Sequence, residues 1–154
     1  MRNTIPRRPK GKFMSALNEF LETSYTAYHA VKNTAEYLIS NGFSLLSEGE
    51  DWNVEEGGKY FVTRGGSSLI AFSVGALDNG LAFRITASHA DSPALKLKDN
   101  AVFATGAYEK LNAECYGGGI WYSFFDRPLK IAGRIVESEK GVLRSRVVES
   151  DYFV

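Results

Sequence analysis

The stretch SHADSPALKLK, residues 88–98, places one of the chain's two histidines two positions before an aspartate. In an extended strand, residues two apart project to the same face, so His89 and Asp91 can sit side by side. That relation fits a metal-binding imidazole whose other ring N–H is held by a carboxylate, which fixes the tautomer and raises the ligand's basicity. It equally fits a plain surface hydrogen bond. A catalytic zinc takes about three protein donors, so the pair by itself leaves both readings open. Ser92-Pro93 follows directly and turns the chain away, leaving the pair at a rim.

Other residues have the right types for chemistry but the wrong surroundings. Ser88 and Ser92 flank His89, yet the sequence has no G-x-S-x-G elbow, and neighbours along a strand do not form a nucleophile–base pair. Glu55-Glu56 has the carboxylates a two-metal site uses, but it runs straight into Gly57-Gly58 and reads as a solvated turn. Gly117-Gly118-Gly119 lacks the Lys-Ser/Thr of a phosphate-binding loop and reads as a bend between strands. His29 lies at the start of a helix near its apolar face and reads as a packing or capping residue. The single cysteine, Cys115, cannot form an intramolecular disulfide. It reads as a small buried hydrophobe, and a reducing, cytoplasmic setting fits it.

The elements that must hold His89 are legible around it. Phe13, Ala16, Leu17, Phe20 and Leu21 recur at helical spacing, as do Tyr28, Val31, Ala35, Leu38 and Ile39. Thr23, Ser24 and Thr26 between them are candidate caps, and Asn41-Gly42 stops the second helix. The pattern then switches to strands. KYFVTRGGSSLIAFSVG is a hairpin about Gly65-Gly66, and LAFRITASHAD is a third strand over 81–88 that ends at His89. Beyond Pro93 every segment is strand-like, with Gly-rich or polar turns. The fold class is α/β, with a shift near Lys98 from mixed to purely β patterning. Residues 13–98 therefore form one region and 99–154 a β-rich second one.

At 154 residues the chain is long enough for a core, and 44% hydrophobic residues make it globular. Eighteen basic residues balance eighteen acidic ones, which argues against a general nucleic-acid or membrane-surface binder. No apolar run is long enough for a transmembrane helix. Five Lys/Arg and no acid crowd into residues 1–12, a Pro- and Gly-containing stretch that reads as a disordered, solvated basic leader. The alternatives for it are a nucleic-acid arm or a transit peptide.

Four stretches, in order and running from about Phe13 to Val136, together resemble the M18 metallo-aminopeptidases, also called aspartyl aminopeptidases. FLETSYTAYHAV resembles that family's helix–turn–helix opening and GGKYFVTRGGSSLIAFSVG its first hairpin. SHADSPALKLK resembles its His-x-Asp-Ser-Pro segment, and KLNAECYGGGIWYSFFDRPLKIAGRIV the start of its inserted domain. Each is weak alone and the ordered set is specific. The departures are Tyr25 and Ala27, where the family often has prolines, which bear on loop stiffness only.

The resemblance implies the N-terminal part of a zinc-peptidase α/β sandwich, two helices plus a mixed sheet, over 13–98. It also implies the beginning of a β-rich inserted domain, used for homo-oligomerisation, over 99–154. It implies two zinc ions per complete site, with manganese or cobalt as possible replacements, which hold a bridging water and polarise the scissile carbonyl. His89 is then a zinc ligand, and Asp91 the residue that orients it. The family's bridging Asp, its Glu-Glu pair, a further carboxylate and a last His have no counterpart here, so the chain is expected to stop inside the inserted domain and to be inactive alone. The implied substrate is a peptide with a free N-terminus and an acidic first residue. Arg64, Lys96 and Arg127 are cations in matched segments without an assigned task. The rival from another class is a non-catalytic truncated remnant or a β-rich interaction module.

Overall fold

A computed structural model describes residues 10–76, 80 and 82–151, the first five by backbone alone. Helix α1 spans Lys10–Thr23 and α2 spans Ala27–Ser40. Helix α1 opens inside the stretch expected to be a leader, and residues 1–9 lie outside the described residues. Of the candidate caps, Thr26 takes the N-cap of α2 with extended backbone, its hydroxyl accepting from the His29 N–H. Asn33 Nδ2 donates to the Thr23 carbonyl at 3.2 Å and to Ser24 Oγ at 3.0 Å, which satisfies polar groups in the turn between the helices. Helix α2 ends as its sequence requires. Gly42 takes a φ of +80°, and its N–H and that of Phe43 reach back to the Ile39 and Leu38 carbonyls.

Strands β1 (Ser44–Leu45), β2 (Lys59–Arg64) and β3 (Ser68–Ser73) form a mixed sheet in that order. β1 runs parallel to β2, and β2 antiparallel to β3. Gly65 and Gly66 both have positive φ, 60° and 71°, in a turn closed by Ser67 N–H to the Arg64 carbonyl. Residues with side chains would be strained there, which explains the paired glycines. The core is small. Val31 and Leu38 of α2 are buried, as are Phe61 and Val62 of β2, with Phe61 only 1% exposed.

The third strand expected over 81–88 is not seen among the described residues of that range, 82–88. Residues 82–89 make no ladder, and Phe83 and Ile85 are 77% and 85% exposed. The alternating pattern is that of a strand, but a strand requires an edge to pair with. Among the described residues none pairs with it.

The remaining strands are two hairpins. β4 (Ala94–Thr105) pairs with β5 (Tyr108–Tyr116), with an irregularity between Leu97 and Val102. β6 (Ala132–Glu139) pairs with β7 (Val142–Glu149) across Lys140-Gly141. Between the hairpins lies a 3₁₀ turn, Trp121–Phe124. The sequence shift near Lys98 falls inside β4. Two compact units result: residues up to Ala90 with Ala132–Glu149, and Asp91–Ile131 with the residues from Ser150 on. In the first unit Arg134 of β6 lies 4.6 Å from the Tyr28 ring centroid and donates to the Gly65 carbonyl at 3.0 Å. Through Arg134 the last hairpin joins α2 and the β2–β3 turn.

Candidate functional site

His89 sits at the end of the unladdered 82–89 stretch and is exposed. The division between compact units falls between Ala90 and Asp91. In the second unit the surroundings of Asp91 are well defined. The residue is half-buried, and its carboxylate accepts from the Tyr116 hydroxyl, 2.8 Å from Oδ2. β4 starts at Ala94, whose register partner is Tyr116, and this pairing brings the end of β5 alongside Asp91. The hydrogen bond and the charge of Asp91, with some desolvation, push the Tyr116 phenol above its ordinary value.

The three glycines that follow Tyr116 have a packing task in place of a phosphate-binding one. A Cβ on Gly119 would meet Pro93 Cβ at 3.0 Å and the Trp121 ring at 3.2 Å. Gly117 has a φ of +81° and would meet Pro93 Cα at 3.5 Å. Gly118 faces open space. The run lets the backbone pass close to the proline of the His-x-Asp-Ser-Pro segment. The sequence reading missed Tyr116 because its link to Asp91 depends on the β4–β5 register, which the bulge shifts.

The other expectations resolve locally. Glu55 and Glu56 are exposed and precede Gly57, whose φ is +79°, so they form the turn expected of them. His29 is buried and its Nδ1 lies 2.9 Å from the N-cap hydroxyl of Thr26, so it both packs and caps. Cys115, read as buried, is exposed. It lies on a two-stranded hairpin, which lacks the second layer needed to cover a face. Of the three cations without a task, Arg64 binds the Glu48 carboxylate through Nε and Nη2, Lys96 pairs with Glu114 at 3.9 Å, and Arg127 donates to the Ser123 carbonyl.

As a metal site the donor set is incomplete. Among the described residues no group of three or more His, Cys, Asp and Glu side chains could hold an ion. A catalytic zinc uses about three, so these residues do not on their own fit a zinc centre, still less a pair.

Residues 20–154 match the sequence profile of a family described as aminopeptidase I zinc metalloprotease (M18). The chain belongs to the M18 aminopeptidase family. A curated M18 relative, aspartyl aminopeptidase 1 of Schizosaccharomyces pombe, is 49% identical over 127 residues, covering 80% of this chain and 27% of that protein. Among solved structures, mApe1 of Chaetomium thermophilum superposes with a TM-score of 0.84 at 31% identity, covering 91% of this chain and 33% of that one. The mApe1 dodecamer of Saccharomyces cerevisiae gives 0.73 at 28% identity, covering 91% and 34%. The α/β fold of helices and mixed sheet is thus that of M18 enzymes. The chain spans about a third or less of the length of the M18 relatives it matches.

Proposed function

We propose that this chain is part of a zinc-dependent aminopeptidase that removes acidic residues from the free N-terminus of peptides. The observation that carries the reading is the M18 match over residues 20–154, which includes His89 and Asp91. The S. pombe relative is named an aspartyl aminopeptidase, which supports the acidic preference. In this reading His89 is one zinc ligand and Asp91 the carboxylate that orients its ring. Zinc would supply Lewis acidity toward the scissile carbonyl. Residues 99–154 begin an inserted domain through which copies associate, a role supported by the dodecameric neighbour. The protein works in the cytoplasm, without nucleic-acid or membrane partners, and the 154-residue chain alone is inactive, a reading supported by the lack of a three-donor group among the described residues.

That no three-donor group occurs among the described residues also favours a second reading, a non-catalytic remnant or β-rich interaction module. The coding sequence beyond codon 154 separates the two. An in-frame Asp, Glu-Glu pair and His downstream supports the aminopeptidase. A stop codon directly after Val154 overturns it and leaves the remnant.

A further inference from the structure

We propose that Tyr116 is a positioning residue that fixes the side-chain rotamer of Asp91. This deepens the reading above and rests on it for the role of Asp91 toward His89. Two independent restraints converge on residues 91–93. The first is the Tyr116 hydroxyl on Asp91 Oδ2 at 2.8 Å, an ordinary length for an O–H donor. The second is the close approach of the Gly117–Gly119 backbone to Pro93, so tight at Gly119 that a methyl group would sit 3.0 Å from Pro93 Cβ. The first comes from Tyr116, the last residue of β5, and the second from Gly117 and Gly119 just after it, all brought to residues 91–93 by the Ala94–Tyr116 pairing. The glycines seat the proline, and the tyrosine then selects one orientation of the carboxylate two residues before it.

The physical need is clear. A carboxylate that orients an imidazole does so only if its own χ1 is fixed, and supporting hydrogen bonds are how such residues are held. An aspartate on a turn with a freely rotating side chain would favour neither ring tautomer. A hydroxyl bond to one oxygen sets the direction of the other. Phenylalanine at 116 keeps the ring and its packing and removes only the donor.

The test is side-chain NMR on the labelled 154-residue chain, with Tyr116→Phe and Asp91→Ala beside it. Three-bond couplings report Asp91 χ1, and the imidazole ¹⁵N shifts of His89, at a pH where the ring is neutral, report its tautomer ratio. Tyr116 positioning predicts a single Asp91 rotamer in the parent chain. It predicts averaged couplings in Tyr116→Phe, and a His89 tautomer ratio that moves the same way in both variants. Averaged Asp91 couplings in the parent chain overturn the proposal without any variant. A rotamer unchanged in Tyr116→Phe also overturns it, and leaves the role of Asp91 untouched. A ratio that moves in Asp91→Ala but not in Tyr116→Phe reduces Tyr116 to a structural latch. If it moves in neither, the orienting role of Asp91 itself fails.

Discussion

The guanidinium of Arg134 lies 4.6 Å from the centroid of the Tyr28 ring while its Nη1 donates to the Gly65 carbonyl. One side chain from β6 thereby meets α2 and the tip of the β2–β3 turn, elements more than sixty residues earlier in the chain. A cation over an exposed aromatic face contributes about 0.5–1 kcal/mol. Arg134→Ala should lower the stability of the first unit by about 1 kcal/mol, and Arg134→Lys by less. Urea unfolding followed by Trp52 fluorescence in a Trp121→Phe background reads this unit, since Trp52 stacks on Phe72 of β3. An unchanged midpoint in Arg134→Ala would mean the contact contributes nothing.

The N-cap of α2 gives a pH-dependent prediction. Burial holds the His29 imidazole below its ordinary value; Glu149 opposes this and Lys32 adds to it. A histidine whose pKa is lower folded than unfolded binds more protons when unfolded, so stability is full above the unfolded value of about 6.5 and falls as pH drops through the folded value. The urea midpoint should therefore hold steady between about pH 8 and 7 and decline below about 6.5. His29→Gln should flatten that decline. Thr26→Ala should cost about 1 kcal/mol through the lost cap. A parent chain whose midpoint is flat across this range contradicts the account of His29.

Gly119 and Gly118 make a matched pair. Alanine at 119 must displace the ring of Pro93 or Trp121, whereas alanine at 118 meets nothing within 4 Å. Overpacking of this kind costs about 1–3 kcal/mol, so Gly119→Ala should destabilise the second unit while Gly118→Ala stays within about 0.5 kcal/mol of the parent. Trp121, next to the contact, is the reporter in a Trp52→Phe background. Equal effects at the two positions would remove the packing account of the glycine run.

Much of the fold was legible because it depends on neighbours in sequence. Thr26 as a cap, Asn41-Gly42 as a stop and Gly65-Gly66 as a turn are decided within four residues, and each stands where the pattern put it. What required distant partners was not legible. The 82–88 pattern is that of a strand, yet pairing is a property of two segments, and none of the described ones meets it. Cys115 is of a type most often buried, yet it lies exposed on the β4–β5 hairpin. Around Asp91 the sequence displayed the carboxylate but concealed Tyr116, which reaches it across 25 residues through strand register.

The unpaired 82–88 stretch carries a consequence for association. Phe83 and Ile85 stand exposed in a stretch that joins no ladder among the described residues, and an exposed apolar segment with a strand-like pattern favours edge-to-edge pairing. The isolated chain should self-associate with rising concentration, and Phe83→Lys with Ile85→Lys should shift it toward monomer. Light scattering that gives a clean monomer for the parent chain at high concentration would contradict this.

In the proposed function His89 and Asp91 are part of an M18 active site whose further donors are not found among the described residues. The direct measurement is hydrolysis of a peptide with N-terminal Asp or Glu by the purified 154-residue chain in excess Zn²⁺, Mn²⁺ or Co²⁺. The account predicts no turnover above the metal-only background, because His89 has no cluster of further donors among the described residues. Turnover that persists through further purification and disappears in His89→Ala would contradict it, and would place a working metal centre within these 154 residues.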